Sequence, residues 1–244
     1  MRQVYWQNKV ENIVVKPNEE LVMVDSGEVS GEATIIVEPC GFLKYFFVPT
    51  SVVVPSSASW RIGEGRVGYE YRKDVVELSS NLTPALSFLR RGGTTTRRTL
   101  RVELHEDSRA EIYGAVLAEG ASEYQFNLTA HHIGARSQSK TLFKGIGKDE
   151  SKQIFNGMIK IEKPAHQSNA FLENRVLLLS KHATAESKPE LEIEANDVKA
   201  SHAATTGRID DHQLFYLQSR GIDRGLAQEM ITQGFLWEVI KLIP

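Results

Sequence analysis

The sequence predicts a mainly β protein with a small α-helical region at its carboxy-terminal end. Short runs rich in Val, Ile, Thr, Tyr and Phe recur from about residue 10 to residue 206, and helical periodicity is nearly absent from that span. After residue 206 the apolar residues recur at helical spacing instead. A doubly wound α/β fold needs helical patterns of about 10–15 residues between its strands, so the sequence disfavours that class.

The predicted strands are separated by turn residues such as Ser26-Gly27, Gly92-Gly93, Glu119-Gly120, Asn156-Gly157 and Asn196-Asp197. In chain order they are Asn12–Val15, Glu20–Val24, Ala33–Val37, Lys44–Val48, Val75–Leu78, Thr99–Leu104, Ala110–Leu117, Tyr124–Leu128, Gln153–Ile161, Val176–Leu179 and Glu190–Ala195. This pattern fits a sandwich, a barrel or a solenoid of stacked β-turns. Because no sharp sequence period is visible, pattern alone leaves all three architectures open.

Two helices are predicted after the last strand. Asp210 is a good N-cap, with Gln213 three residues later as in a capping box, and the helix stops near Gly221. Asp223 can cap a second helix that ends at Gly234, and the apolar run continues to Ile243. A tail this rich in apolar residues is expected to pack on the β body or on a partner.

The bulk composition narrows the function classes. The chain has 244 residues, of which 41% are hydrophobic and 25% charged, with a formal net charge of -2, so no global field draws it to nucleic acid. The basic pair Arg97-Arg98 is expected on a solvated face. No run approaches the roughly 18 apolar residues of a membrane helix, and the amino-terminal residues do not resemble a signal peptide. A soluble cytoplasmic protein is expected.

Cysteine and motif content exclude several kinds of site. The single cysteine, Cys40, rules out a disulfide within the chain and a metal site built only from cysteines. With no basic neighbour close in sequence, Cys40 is expected to be an inert thiol. No nucleophile elbow, Walker loop, dinucleotide fingerprint or zinc-protease helix is present. His131 and His132 face opposite sides of a strand, so a structural role is expected for both.

The corner at Asn196-Asp197 carries the main candidate residue. Before it, Leu191, Ile193 and Ala195 share one strand face and Glu192 and Glu194 the other; after it, the apolar parity changes to Val198, Ala200, His202 and Ala204. Such a change predicts a corner or bulge. His202 then points with small apolar residues, where a neutral imidazole can ligate a metal or meet a partner. A buried or half-buried histidine satisfied by one hydrogen bond is the alternative.

Several long segments carry a family resemblance. They are NRVLLLSKHATAESKPELEIEANDVKASHAATTGRID (Asn174–Asp210), QLFYLQSRGI (Gln213–Ile222) and GFLWEVI (Gly234–Ile240), with looser likeness in RRGGTTTRR, LTAHHIGARSQSKTLFKGI and SKQIFNGMIKI. In this order they resemble the carboxy-terminal core of the SufB/SufD family, the scaffold proteins of iron–sulfur cluster assembly. The resemblance covers roughly residues 85–244. Upstream of residue 85 only the strand-rich character is shared.

This resemblance implies a right-handed parallel β-helix core followed by a small helical domain. The core corresponds to residues 1–206 and the helical domain to residues 207–244. The chain is expected to be too short to hold the amino-terminal helical region of full-length members. In that family an ATPase of the ABC type, SufC, docks on the carboxy-terminal helices, here Asp210–Gly221 and Asp223–Ile243. The residues expected to receive it are Phe215, Leu217, Met230, Phe235 and Trp237.

The resemblance also implies a partner for the β-helix. SufB and SufD pair through their β-helix cores, and the nascent cluster is thought to form near that interface. SufD-type members have Cys-Ser-His in the corner, where this chain has Ala200-Ser201-His202. SufB-type members have Glu after the histidine, where this chain has Ala203. His202 is therefore the only cluster ligand that the resemblance places here, and one histidine cannot hold a cluster alone.

The expected function is that of a non-enzymatic SufD-like scaffold. It would act with a SufC-like ATPase and with a SufB-like scaffold or a second copy of itself, and a transient cluster would lie at the shared interface. No resident cofactor, nucleic acid or membrane is expected. Two alternatives stay open. One is a carbohydrate-active β-helix enzyme, which needs convergent carboxylates or a basic site on one face. The other is a purely structural homodimer in which His202 is buried against its symmetry mate.

Overall fold

The computed structural model describes residues 2–6, 12–25, 30–48 and 95–243. The predicted strand Val75–Leu78 and the turns Ser26-Gly27 and Gly92-Gly93 lie outside these residues. The strands are β1 Arg2–Trp6, β2 Asn12–Val15, β3 Glu20–Asp25, β4 Gly31–Val37, β5 Phe42–Phe47, β6 Thr95–Leu104, β7 Arg109–Ala118, β8 Glu123–His132, β9 Gln138–Gly147, β10 Lys152–Ile161, β11 Asn169–Leu178, β12 Thr184–Ile193 and β13 Lys199–Arg208. The helices are α1 Asp211–Ser219 and α2 Arg224–Ile240.

The strands form two parallel sheets in which odd and even strands separate. Sheet A has the order β1-β3-β5-β7-β9-β11-β13, and sheet B has the order β12-β10-β8-β6-β4-β2. Each strand hydrogen-bonds to the second strand along the chain, and every described pairing is parallel. The chain therefore winds as a solenoid that adds one strand to each sheet per coil. This confirms the parallel β-helix, while its right-handed sense stays a prediction.

The interior between the sheets is filled by alternate side chains of each strand. Large aromatic residues occupy its middle, with ring centroids of Phe126 4.6 Å from Phe143 and 4.9 Å from Phe47. Aliphatic residues such as Leu21, Ile112 and Leu172 continue this core toward both ends, with no exposed surface. Burial of this apolar area is the main stabilising term of the fold, because neither sheet alone could hide its inner face from water.

One edge of the solenoid is built from a repeated corner. Cys40, Asp107, Arg136 and Gln167 each have a positive φ, between 55° and 59°, and lie shortly before an odd-numbered strand. Their amide groups donate to the next coil, as in Cys40 N to Glu106 O at 3.0 Å. The corner predicted at Asn196-Asp197 belongs to the same stack, because the Gln167 amide donates to Asp197 O at 2.6 Å. These non-glycine residues accept a strained backbone because the corner hydrogen bonds hold it.

The two helices begin where the sequence predicted. Asp210 caps α1 by accepting from the His212 amide, and Asp223 caps α2 by accepting from the Gly225 amide. The predicted helix end at Gly234 is wrong, because α2 runs through it to Ile240. A glycine inside a helix costs only about 1 kcal/mol, and burial of the residues beyond it offsets that cost. Among the described residues, no helix is long and apolar enough to cross a membrane.

Helix α2 lies on the outer face of sheet A. Leu236, Val239 and Ile240 pack into a second apolar cluster that is separate from the interior. The residues that sheet A and the loop residue Val48 contribute to this cluster are Val22, Val24, Phe46, Val48, Tyr113, Ala115, Leu142 and Ile146. The prediction that the apolar tail packs on the β body is therefore confirmed for α2.

The basic pair Arg97-Arg98 does not lie together on a solvated face. Arg97 is exposed, but strand alternation turns Arg98 into the interior, where it is only 2% exposed. Its guanidinium donates to both carboxylate oxygens of Asp25, at 2.8 and 2.7 Å. The hydroxyl of Tyr45 donates to the same carboxylate at 2.5 Å. The expectation was wrong for Arg98. The alternation of side chains along the strand decides which side Arg98 faces, and its positive charge does not.

Candidate functional site

His202 belongs to the interior row of the last strand of sheet A. In the parallel register of β11 and β13, Leu172 is the partner of His202 and Ala170 is the partner of Ala200. Side chains in register on parallel strands point to the same side, and Ala170 and Leu172 are both part of the interior core. This agrees with the sequence prediction that His202 points with Ala200 and away from Lys199.

His202 is nevertheless exposed to solvent. Strand β13 is the last strand of sheet A and β12 is the last strand of sheet B, so no further coil covers their inner faces. Leu191 and Ile193 of β12 show the same effect: they are 38% and 42% exposed although their register partners Ile159 and Ile161 are buried. Within this chain His202 is therefore neither the buried nor the half-buried histidine of the alternative interpretation.

We call this surface the open end. It consists of the inner faces of β12 and β13 together with their unpaired strand edges. Each edge presents backbone N–H and C=O groups that no other strand of the described chain takes up. Exposed apolar side chains beside free strand edges are typical of a surface that pairs with another chain.

The described residues of the open end do not assemble a metal site around His202. Ala200 and Ala203 carry no side-chain donor atoms, and the hydroxyl of Ser201 lies on the other side of the strand from His202. Within the described ranges, no group of three or more His, Cys, Asp or Glu side chains is placed to hold a metal ion. Cys40 is exposed at a corner between β4 and β5, and each of these strands is four strands away in its sheet from β12 or β13. Among the described residues, His202 therefore has no complete set of metal ligands within its own chain.

The residues predicted to receive a partner on the helices have different surroundings. Phe215 is 72% exposed and Trp237 is 51% exposed, which is unusual for large apolar side chains. Leu217 and Met230 are half-buried. Phe235 packs against the apolar cluster under α2, and the Lys144 ammonium lies 4.6 Å from its ring centroid. Phe235 thus anchors α2 to the β-helix, so only part of the predicted set is free for a partner.

Sequence reasoning missed Tyr216, which is 58% exposed beside Phe215. Leu214 is the buried member of α1, so Phe215 and Tyr216 lie away from the side that packs within this chain. The adjacent pair Phe215-Tyr216 could have given the signal, because neighbouring residues on a helix diverge by about 100° and cannot both face the same neighbouring surface.

A buried lysine fastens α2 to sheet A. The Lys144 ammonium on β9 pairs with the Glu238 carboxylate, and the lysine is only 4% exposed while the Glu238 side chain is half exposed. The hydrogen bond from Lys144 holds the pKa of the Glu238 carboxyl below its usual value, although partial burial acts in the other direction. The carboxylate therefore neutralises an amine that burial would otherwise leave unpaired.

The two adjacent histidines lie on opposite faces of β8, as predicted. His131 faces outward, where Arg101 Nη2 donates to its Nδ1 at 2.5 Å and its Nε2 lies 2.7 Å from Glu162 Oε1. The interior residue His132 is hydrogen-bonded through both ring nitrogens to Ser137 and Ser139 at 2.8 Å. Burial, and secondarily the charge of His131, lowers the pKa of His132 to about 4. Neither histidine joins His202 in one site.

Comparison with known families assigns most of the chain to one model. Residues 67–235 match the model of the SUF system FeS cluster assembly SufBD core domain. The match begins before residue 85, where the motif likeness starts, and it includes β6–β13, α1 and most of α2.

Curated relatives give the same assignment. The chain is 36% identical over 165 residues to the iron–sulfur cluster assembly protein SufD of Bacillus subtilis, covering 68% of this chain and 38% of that protein. It is 36% identical over 153 residues to SufD of Escherichia coli, covering 62% of this chain and 36% of that protein. Over 98% of this chain and 44% of the relative, it is 28% identical to protein ABCI7, chloroplastic, of Arabidopsis thaliana. The chain thus spans less than half the length of these relatives.

Proposed function

Because this chain belongs to the SufBD core family of SUF iron–sulfur cluster assembly proteins, we propose that it acts as a SufD-like scaffold subunit. It performs no catalysis of its own. It works with a SufC-like ABC ATPase and with a second scaffold chain, either SufB-like or a second copy of itself. The iron–sulfur cluster is the cargo of this assembly and is held only transiently, at the interface between the two scaffold chains.

The open end is the observation that carries this proposal. His202 points in the same direction as the interior side chains of β11 but is exposed to solvent. It lies at the place where a second β-helix would continue the solenoid. A cluster normally needs several thiolate ligands, with histidine as an occasional substitute. With Ala200 and Ala203 beside it, His202 supplies one ligand, and the partner supplies the thiolates and the carboxylate.

The helical region supports the second half of the proposal. Phe215 and Trp237 offer large apolar surface to a docked ATPase, and Tyr216 adds to it. Aromatic side chains of this kind dominate the binding energy of many protein interfaces. Since Lys144 and the apolar cluster fix α2 to sheet A, a movement imposed on the helices by ATP hydrolysis is transmitted to the β-helix and so to the open end.

Anaerobic reconstitution with SufB-like and SufC-like partners tests the proposal. We expect the wild-type chain to bind both partners and to support cluster formation, followed by the visible absorption of the cluster. His202→Ala should bind both partners and yet reduce the cluster yield strongly. Ser201→Ala is the matched control, because Ser201 immediately precedes His202 on the same strand and faces outward.

Two results would count against the proposal in different ways. An unchanged cluster yield with His202→Ala removes the ligand role and leaves the scaffold role in place. A wild-type chain that binds no SufC-like ATPase contradicts the scaffold function itself. The missing donor atoms at Ala200 and Ala203 favour one second candidate, a structural homodimer, which predicts the same dimer stability with and without iron.

A further inference from the structure

The outer face of sheet B carries a histidine that is almost completely buried. His131 points outward from β8, whereas α2 packs on the other sheet, sheet A. The His131 side chain is nevertheless only 7% exposed. The side chains in contact with its ring come from the neighbouring strands, Arg101 from β6 and Glu162 from the residue that follows β10. Charged side chains therefore cover this ring, and the apolar core does not.

The contacts of His131 determine its protonation state. Arg101 Nη2 lies 2.5 Å from Nδ1 of the ring, and a guanidinium can only donate, so Nδ1 carries no proton. The other ring nitrogen, Nε2, lies 2.7 Å from Glu162 Oε1. An ionised carboxylate can only accept, so the ring proton is on Nε2. The arrangement in the structure thus requires a neutral imidazole.

A proton added to Nδ1 is incompatible with this arrangement. It would place an N–H group of the ring against an N–H group of Arg101, and it would bring two cations into contact. Like charges at this distance repel each other. The protonated Nδ1 would then need a new acceptor, and Glu103 Oε1 lies 3.9 Å from it.

One oxygen of Glu103 can serve either partner. Glu103 Oε1 accepts from Arg101 Nε at 2.8 Å, and the same oxygen is the one near His131 Nδ1. A charged His131 therefore competes with Arg101 for this oxygen. The Arg101 side chain is 40% exposed and can turn into water, where leaving an exposed ion pair costs little. The His131 ring is buried, so Arg101 is the partner that leaves.

The other charged groups around His131 come from β10, β12 and the residues that follow them. Lys160 stands beside His131 in the register of β8 and β10, but its ammonium lies 2.7 Å from a carboxylate oxygen of Glu192. Glu194 and Glu162 also act electrostatically on Lys160. Glu162 accepts from Nε2 in either charge state of the ring. Among these described groups carboxylates outnumber ammonium groups, so Lys160 does not prevent His131 from becoming charged.

We propose that His131 and Arg101 form a proton-operated switch on the outer face of sheet B. While the ring is neutral, Arg101 is held between His131 and Glu103. When the ring takes up a proton, His131 binds Glu103 and Glu162, and Arg101 is released into solvent as a free guanidinium. Histidine is the side chain that ordinarily changes its charge between about pH 5 and pH 8. The switch is independent of any bound cluster or partner.

Nitrogen-15 NMR of the full chain tests the switch. The ring nitrogens of His131 report the tautomer, and the arginine Nε–H signals report their hydrogen bonds. At about pH 8, Nε2 should carry the proton and Nδ1 should not. As the pH falls to about 5.5, the Arg101 signal should shift toward that of a solvent-exposed arginine, with the same midpoint as the protonation of His131. Arg97 is the internal control, because its Nε donates to Gln125 Oε1 at 2.9 Å and its signal should stay constant.

Two glutamine variants separate the ring from other acids. His131→Gln cannot take up a proton in this range, so the Arg101 signal should lose its dependence on pH. His132→Gln is the matched control, because His132 is the next residue of β8 and faces the interior, where it binds Ser137 and Ser139. In that variant the Arg101 signal should still shift as in the wild type.

Several results would each overturn the switch. A proton on Nδ1 at about pH 8 would mean that Arg101 does not donate to the ring. A ring that stays neutral down to about pH 5.5, or one that becomes charged while the Arg101 signal stays constant, would exclude the release of Arg101. A shift that persists in His131→Gln would assign the acid response to Glu103. The first two results come from the wild-type chain and hold even if a variant folds poorly.

Discussion

Lys144 of β9 and Glu238 of α2 form the ion pair that joins the helical region to the β-helix, and the two partners differ in burial. The lysine side chain is 5% exposed and the glutamate side chain is 50% exposed. Loss of either partner therefore has unequal consequences, because only the amine would be left buried without a counter-charge.

Glu238→Ala should lower the free energy of unfolding by about 1–3 kcal/mol, the cost of leaving a buried polar group unsatisfied. Lys144→Met should cost less, since it keeps an apolar stem under Phe235 and removes the buried charge. Urea unfolding measures both. Glu119→Ala, which breaks the exposed pair with Lys148, serves as the control and should change stability by about 0–1 kcal/mol. Equal losses for Glu238→Ala and Lys144→Met would contradict the interpretation.

His132 should make the fold sensitive to mild acid. Burial lowers its pKa in the folded chain to about 4 from an ordinary value of 6.5, so the unfolded chain binds the proton first. Stability should be complete above pH 6.5 and should fall as the pH drops from 6.5 to 4. At about 1.36 kcal/mol per pKa unit, the loss is on the order of 3 kcal/mol.

His132→Gln tests this acid sensitivity, because it keeps hydrogen-bonding groups near Ser137 and Ser139 but cannot take up a proton in this range. Unfolding free energies measured between pH 4 and pH 7 should then vary less than in the wild type. His182→Gln changes an exposed histidine and should leave the slope unchanged. A slope that persists in His132→Gln would assign the acid sensitivity to other groups.

Much of the β-helix was accessible from the sequence, and the missed parts have physical reasons. The strand β9 was not among the predicted strands because both of its faces are covered. Phe143 lies in the interior, whereas Leu142 and Ile146 lie under α2, and Lys144 interrupts the row. A strand buried on both sides loses the alternation that identifies it.

The coil period was hidden by unequal corners. Even-numbered strands from β6 onward begin at Thr95, Glu123, Lys152 and Thr184, at intervals of 28, 29 and 32 residues. This variation in coil length obscures the sequence repeat, although each interval lies within the range of roughly 20–50 residues that is usual for solenoids.

The inward direction of His202 followed from strand parity, but its exposure did not. Parity is a local property, whereas exposure depends on β13 being the last strand of its sheet.

The interior ion pair of Arg98 and Asp25 should contribute strongly to stability when only one partner is removed. Asp25→Ala leaves a guanidinium that is 2% exposed without its carboxylate. Breaking a buried pair in this way typically costs about 3–5 kcal/mol. Thermal or urea unfolding gives the value. Arg97→Ala, which removes the exposed neighbour, should change stability by no more than about 0.5 kcal/mol. A similar loss for both variants would show that the burial of Arg98 has no energetic consequence.

The exposed aromatic residues of the helices should control binding of a SufC-like ATPase without affecting the fold. Phe215→Ala and Trp237→Ala should each weaken the Kd roughly tenfold or more, as expected for buried aromatic anchors at an interface. Their unfolding free energies should change less than that of a core variant, because the two side chains are 72% and 51% exposed in the free chain. Calorimetric titration with the ATPase and urea unfolding together separate the two effects.

Phe235→Ala provides the contrast within the same helix. Phe235 packs under Lys144 and against the outer cluster of sheet A, so its loss should lower the stability of the fold. The Kd for the ATPase should change only to the extent that the loss of Phe235 weakens the attachment of α2 to sheet A. Gln218→Ala, an exposed polar position of α1, is the matched surface control and should alter neither property. The contrary result is that Phe235→Ala weakens binding as strongly as Trp237→Ala while stability stays constant. That result would place Phe235 in the docking surface. The attachment of α2 to the β-helix would then depend on Glu238, Leu236 and Val239.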